Sequence, residues 1–66
     1  MTINVNGAPV AVPAGATVSA LLKLLDVEPA QIAVELNGSV VPREAWSEVP
    51  IPSEATLEIV RFVGGG

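Results

Sequence analysis

The part of this sequence best suited to chemistry is its glycine end, Gly64, Gly65 and Gly66. Cys and His are both absent, so the chain has no thiol nucleophile and lacks the commonest general base and metal ligand. The seven acidic residues show no clustered spacing typical of a metal site or of a general acid and base pair. We therefore expect no active site, metal or bound cofactor in this chain, and the carboxylate of Gly66 is the group left for chemistry.

Glycine suits a carboxylate that a partner enzyme has to reach. Without a Cβ, the backbone can approach another protein closely and adopt extended or positive-φ conformations. Three extended residues span about 10 Å at roughly 3.3–3.6 Å per residue, enough to carry the Gly66 carboxylate into a partner's site. Glycines at a terminus can also be a frayed end or the remnant of an expression tag. The patterned strand just before Gly64 favours the functional interpretation.

That last strand is predicted over residues 56–63, and its alternation assigns side chains to two faces. Leu57 and Ile59 fit the core, while Val60 and Phe62 fall on the other face of the sheet. An exposed apolar pair beside the glycine end predicts a partner-docking patch. Scattered apolar residues are also ordinary on protein surfaces, so proximity to the glycines is the main argument for docking.

Earlier in the chain, two Asn-Gly pairs, Asn6-Gly7 and Asn37-Gly38, predict tight hairpins, because both residue types tolerate the positive φ of a type I′ turn. Pro9 follows the first turn and cannot donate a ladder hydrogen bond, so its strand should lie at a sheet edge. The apolar residues of the strands flanking these turns are Ile3 and Val5, Val10 and Val12, Ile32, Val34 and Leu36, and Val40 and Val41.

One main helix is predicted over roughly 18–26, with Thr17 as its N-cap. Its apolar residues recur at helical spacing and form one stripe, and Pro29 prevents a long continuation. The stripe consists of Val18, Leu21, Leu22 and Leu25. A further helical turn is expected at 43–46, where Trp46 more often closes a small core than contacts a ligand.

The order of these elements is hairpin, helix, strand, short strand, turn and strand. A sheet with one helix across one face is the natural two-layer solution, and the helix allows the first and last strands to pair in parallel at the centre. We predict an α+β fold of the β-grasp, or ubiquitin-like, type, with a mixed sheet of four to five strands. Residues 1–63 would form a single domain and 64–66 a flexible tail.

Composition sets limits on the partners. The chain is 50% hydrophobic and carries a net charge of −4, which disfavours nucleic acids and anionic membranes because both need a basic surface. The same charge suits a protein with a basic docking face, or simply keeps a small protein soluble. No apolar run approaches a membrane span, and the first residues lack a secretion leader. We expect a cytoplasmic protein that is a monomer when free.

With these residues in view, the sequence resembles the ThiS family, the ubiquitin-like sulfur carriers of thiamine biosynthesis, over essentially all of its length. The resemblance is carried by the opening motif Ile3 to Gly7, by Leu36-Asn37-Gly38 and by the terminal Phe62 to Gly66. The most specific segment is Val-Pro-Arg-Glu-x-Trp, which occupies residues 41–46.

The resemblance implies a carrier that is acted on by enzymes and is not itself an enzyme. An adenylating, E1-like activating enzyme would use ATP to activate the Gly66 carboxylate, with Gly64 and Gly65 recognised as the tail. A sulfur donor such as a cysteine desulfurase would convert it to a thiocarboxylate, which thiazole synthase would consume.

Three alternatives stay open. A sulfur carrier of another pathway, such as molybdopterin synthesis, would share the fold and the glycine end. A ubiquitin-like protein modifier would use the same activation chemistry but join its tail to lysines. A plain interaction module would carry the glycines incidentally.

Overall fold

Five strands, one α-helix and one 3₁₀ turn form the part of the chain that the computed structural model describes, residues 1–62. The elements are β1 (Thr2–Val5), β2 (Ala8–Ala11), α1 (Val18–Leu24), β3 (Ile32–Leu36), β4 (Ser39–Val41), the 3₁₀ turn (Arg43–Ala45) and β5 (Thr56–Arg61). The last strand was predicted to reach residue 63, but β5 ends at Arg61. Val63 and the glycine end lie outside the described residues, so the domain boundary and the tail stay predictions.

The sheet has the strand order β2-β1-β5-β3-β4. β1 and β5 pair in parallel, and the other neighbours are antiparallel. The central position of β5 and its parallel pairing with β1 confirm the α+β, β-grasp prediction. A crossover that contains α1 allows this parallel pairing, since parallel neighbours cannot be joined by a hairpin.

α1 packs its apolar stripe against one face of the sheet. Val18 and Leu21 are fully buried, Leu22 is nearly so, and Leu25 is partly buried against the same core. Removing this much apolar side chain from water is the main source of stability in so small a domain. The remaining buried hydrophobic residues are Ile3, Val5, Val12, Ile32, Val34, Val41, Trp46, Ile51, Ala55 and Leu57.

The beginning of α1 is fixed by a side-chain cap and by a neighbouring loop. The Thr17 hydroxyl accepts a hydrogen bond from the amide of Ala20 at 3.2 Å, which confirms the predicted N-cap. The amide of Ser19 donates to the carbonyl of Trp46 at 2.9 Å. Two amides that a helix cannot satisfy internally are therefore bound.

The end of α1 comes two residues earlier than predicted, because Asp26 adopts a left-handed conformation with φ 56°. The Asp26 amide donates to the Lys23 carbonyl at 3.1 Å, and the Val27 amide donates to the Leu22 carbonyl at 3.0 Å. These two bonds define a Schellman ending, in which glycine is the usual left-handed residue. Within residues 1–62, no helix has the length and apolar character needed to cross a membrane.

Pro9 lies on an edge strand, as predicted, and the pairing of β2 explains why it is tolerated there. The Val12 amide donates to the Met1 carbonyl at 2.8 Å, and Val10 pairs with Ile3 in the same register. Backbone groups that face β1 alternate along β2, so Pro9 falls at a position that faces outward. Its missing amide hydrogen costs the sheet no hydrogen bond.

Candidate functional site

Val60 and Phe62 are exposed, as the sequence predicted. Val60 stands opposite Ala33 of β3 on the face of the sheet away from α1, here called the open face, and is 47% exposed. Phe62 is 56% exposed, and its amide donates to the Gln31 carbonyl at 2.8 Å. Pairing with β3 therefore continues one residue beyond β5. The docking role of both side chains stays a prediction.

Two acidic residues share the open face with Val60. Glu35 of β3 stands directly opposite Glu58 of β5, and Val40 of β4 flanks Glu35 on its other side. Val40 is exposed, as is Glu58. The open face thus combines exposed aliphatic side chains with negative charge, which suits the basic docking face expected of a partner.

The side chain of Asn6 extends the pairing of β5 beyond the end of β1. The Asn6 amide donates to the Leu57 carbonyl at 2.9 Å. Its side-chain Oδ1 accepts from the Ile59 amide at 2.7 Å, and its Nδ2 donates to the Ile59 carbonyl at 3.3 Å. The pairing of β1 with β5 ends at Val5 and Leu57, where the chain enters its turn. The Asn6 side chain therefore supplies the hydrogen bonds to Ile59 that a further residue of β1 would have made.

A second asparagine holds β5 from its other edge. The Asn37 amide donates to the Thr56 carbonyl at 2.8 Å, and its Oδ1 accepts from the Thr56 amide at 2.9 Å. Both Asn6 and Asn37 have positive φ, at 52° and 50°, as the predicted turns require. Sequence analysis predicted that these residues form turns, but it did not predict their hydrogen bonds to β5. The strand that leads to the glycine end is therefore fixed on both sides.

The mid-chain motif at 41–46 has a structural role. Trp46 is 5% exposed, and its indole Nε1 donates to the Val41 carbonyl at 2.9 Å, which confirms its predicted place in the core. Arg43 is exposed, but its guanidinium carbon lies 4.9 Å from the centroid of the Trp46 ring, within cation–π range. Because Trp46 also binds the start of α1, the motif fixes the helix rather than forming a reactive site.

An apolar groove opens beside β5 on the helix side of the sheet, and we call it the helix-side groove. Its volume is about 470 Å³. Four separate segments of the chain contribute to it, so no local sequence pattern could have predicted it. The lining residues are Val5, Asn6, Val10, Leu25, Val27, Ile32, Ile59 and Arg61.

Comparison with known proteins identifies relatives over the whole chain. A thiazole synthase of Magnetococcus marinus is 39% identical over 66 residues, which are all of this chain and 20% of that protein. The chain thus spans about a fifth of that relative's length. An uncharacterized protein of Porphyra purpurea, ycf40, is 30% identical over the same 66 residues, and the match covers 93% of it.

A solved structure and a family model agree with these relatives. The crystal structure of a thiamine biosynthesis protein (ThiS) from Geobacter metallireducens superposes with a TM-score of 0.87 at 38% identity, covering all of both chains. The model of the ThiS family matches residues 3–66. The chain belongs to the ThiS family.

Proposed function

We propose that this protein is a sulfur carrier in thiamine biosynthesis and that the carboxylate of Gly66 carries the sulfur. The observation that supports this most directly is the extent of the family match, which runs from residue 3 through residue 66. The glycine end is therefore part of what the chain shares with the ThiS family. The similar structure from G. metallireducens bears the description of a thiamine biosynthesis protein.

The proposed chemistry takes place in successive steps at the Gly66 carboxyl group. In the first, a Gly66 carboxylate oxygen attacks the α-phosphorus of ATP in an adenylating activating enzyme, and pyrophosphate leaves. In the second, the terminal sulfur of a persulfide that originates from a donor such as a cysteine desulfurase attacks the carbonyl carbon and displaces AMP. A thiol reductant then cleaves the S–S bond of the resulting acyl disulfide and is itself oxidised to a disulfide. Adenylation converts a poor acyl electrophile into a reactive one, and the product is a thiocarboxylate. Catalysis belongs to the partners, and this chain supplies the reacting group.

Thiazole synthase is the proposed acceptor of the sulfur. Two thiazole synthases, from M. marinus and Paramagnetospirillum magneticum, each contain a segment 39% identical to this whole chain. A carrier segment within the consuming enzyme would hold the thiocarboxylate at a high effective concentration near its acceptor. In a carrier that is separate from thiazole synthase, the same encounter would depend on docking of the folded domain.

Contacts within residues 1–62 support this proposal. β5 is the central strand, and Asn6 and Asn37 bind it from both edges. The exposed side chains of Val60 and Phe62 lie just before Gly64. A partner that docks on Val60 and Phe62 would receive the following residues in a defined direction, which lowers the entropy cost of placing the carboxylate.

Intact mass spectrometry tests the proposal. The protein is incubated with ATP, the activating enzyme, a cysteine desulfurase, cysteine and a thiol reductant, and we expect one oxygen to be replaced by sulfur. Fragmentation should place the sulfur at Gly66. The matched control lacks Gly65 and Gly66 and should keep its mass. An unchanged mass of the intact chain with an activating enzyme that converts another ThiS protein would contradict the proposal.

The acceptor is tested separately. The purified thiocarboxylate is given to thiazole synthase and, in parallel, to molybdopterin synthase lacking its own carrier. Loss of sulfur and turnover only with thiazole synthase would support the thiamine pathway. Turnover only with the molybdopterin enzyme, or isopeptide conjugates of this chain on other proteins, would show one of the alternative functions instead.

A further inference from the structure

The edge of β5 that faces β1 is left open at Arg61. Along β5 the backbone N–H and C=O groups point alternately to the two neighbouring strands. Those of Thr56 and Phe62 form hydrogen bonds on the side of β3, and those of Leu57 and Ile59 form them on the side of β1. The backbone groups of Arg61 also point to the side of β1, because Arg61 and Ile32 form a non-hydrogen-bonded pair of the antiparallel ladder. β1 ends at Val5 and the Asn6 side chain reaches only to Ile59, so no residue among 1–62 pairs with the Arg61 backbone on this side.

This open position differs from the outer edge of the sheet at β2. There Pro9 occupies an outward-facing position and presents no amide hydrogen, which is a common way of preventing strand addition. Arg61 presents both a donor and an acceptor in the strand conformation. An unpaired edge of this kind is a template for a further strand.

The helix-side groove begins next to the same edge. The side chains of Ile59 and Arg61 line it, together with Val5 and Val10 from the β1–β2 hairpin. A strand added beside Arg61 would direct alternate side chains to the two faces of the sheet, so every second one would point toward this groove. The apolar lining fits an aliphatic side chain, and the positive charge of Arg61, which is one of the lining residues, favours a neighbouring carboxylate.

We propose that an extended segment of thiazole synthase adds to the sheet beside Arg61 and inserts an aliphatic side chain into the helix-side groove. This inference rests on the proposed function for the identity of the partner. It adds a second contact surface, on the opposite side of β5 from Val60 and Phe62. The partner would then hold the last strand from both faces and along its open edge, and strand addition supplies main-chain hydrogen bonds that do not depend on the partner's exact sequence.

Amide hydrogen exchange tests the open edge in the unmodified protein. The ¹⁵N-labelled chain is exchanged into deuterium oxide alone and with saturating thiazole synthase, and the Arg61 amide is followed by NMR. We expect at least about tenfold slower exchange of Arg61 in the complex. The amide of Ala11, which faces outward from β2, is the internal control and should exchange at the same rate in both samples.

The outcomes separate the two proposals. A complex in which Arg61 exchanges as in the free protein would overturn strand addition and leave the sulfur-carrier function intact. Protection of Arg61 by the activating enzyme and not by thiazole synthase would overturn the choice of partner. If no complex with thiazole synthase forms while its sulfur-dependent turnover is normal, stable strand addition is likewise excluded.

N-methylation of the Arg61 amide tests the proposed backbone hydrogen bond to the partner separately from the side chain. A chain of 66 residues is accessible to chemical synthesis, so Arg61 can be incorporated with an N-methyl group that removes its amide donor and keeps its side chain. We expect the Kd for thiazole synthase to rise about three- to tenfold, the range for loss of one hydrogen bond. N-methylation of Ala11 is the matched control, and equal affinities of the two synthetic proteins would contradict the proposal.

The groove is tested by two substitutions near the end of α1, one inside the groove and one outside it. Val27→Asn places an amide in the helix-side groove and should raise the Kd by about tenfold, whereas Leu24→Asn changes a residue that is 56% exposed and lies outside the groove. Thermal unfolding of both variants checks that they are folded at the assay temperature. If Val27→Asn is folded and binds as well as Leu24→Asn, no partner side chain enters the groove.

Discussion

Glu35 and Glu58 stand directly opposite each other on the antiparallel strands β3 and β5. Like charges at such a position destabilise a sheet. The three basic residues lie elsewhere: Lys23 is in α1, Arg43 covers Trp46 and Arg61 lines the helix-side groove. Repulsion between these two carboxylates therefore lowers the stability of the free protein, and it acts on the face that is expected to contact a basic partner.

Replacing one of these carboxylates by a cation should stabilise the free protein. We expect Glu35→Lys to raise the free energy of unfolding by about 0.2–1 kcal/mol, with a smaller gain at high salt because the pair is near solvent. Urea unfolding at low and high ionic strength measures this. Glu48→Lys, in an exposed turn, makes the same change in net charge, and an equal gain there would attribute the effect to net charge alone.

The two turn asparagines should differ in their tolerance of aspartate. Asn6→Asp replaces the Nδ2 donor that faces the Ile59 carbonyl by an oxygen, and we expect a loss of about 1–2 kcal/mol. Asn37→Asp retains the oxygen that accepts from Thr56, and its expected loss is below about 0.5 kcal/mol. Urea unfolding of both variants checks the order, and a larger loss for Asn37→Asp would contradict the described geometry.

The left-handed residue that ends α1 is a site for stabilisation. Asp26→Gly removes the Cβ that makes φ 56° costly, and we expect a gain of about 0.5 kcal/mol after the larger backbone entropy of glycine in the unfolded chain is included. Asp26→Ala keeps the Cβ and should give no gain. Thermal unfolding compares the three proteins, and equal midpoints for the Gly and Ala variants would argue against backbone strain at this position.

The indole of Trp46 should be needed for its hydrogen bond as well as for its volume. Trp46→Phe leaves the buried Val41 carbonyl without its donor and creates a cavity, so we expect a loss of about 2–3 kcal/mol. Arg43→Ala removes only the exposed guanidinium over the ring and should cost below about 1 kcal/mol. Chemical unfolding monitored by circular dichroism gives both values, and a smaller loss for Trp46→Phe than for Arg43→Ala would refute this assignment.

The open face next to the glycine end should affect binding more than folding. Val60→Asp and Phe62→Asp each place a charge on an exposed apolar position, and we expect each to raise the Kd for a partner enzyme about tenfold or more. Leu24→Asp, on an apolar residue of α1 that is as exposed as Phe62, is the control for added charge. Calorimetric titration measures the affinities, and normal binding by both β5 variants would place the docking surface elsewhere.

Sequence patterns predicted the elements well because their signals are local. The Asn-Gly turns, the Thr17 cap and the edge position of Pro9 each depend on one or two residues whose backbone preferences are strong. The parallel pairing of β1 with β5 followed from the helix between them. The end of α1 was placed too late because aspartate, unlike glycine, rarely signals a left-handed ending.

The parts of the candidate site that were missed depend on residues far apart in sequence. Asn6 and Ile59 are 53 positions apart, and nothing near either residue indicates that they meet. The same holds for the open edge at Arg61, which exists because β1 ends while β5 continues. The available signal was the asparagine at position 6, because an amide side chain can both donate and accept, as Asn6 does toward Ile59.

Trp46 also gives the protein an internal spectroscopic reporter. It is the only tryptophan of the chain, it is buried under the Arg43 guanidinium, and it belongs to the region that holds the start of α1 rather than to the open face or the helix-side groove. Its fluorescence emission should therefore shift when the domain unfolds and stay constant when a partner engages β5. One optical signal can thus separate a variant that has lost its fold from one that has lost its partner.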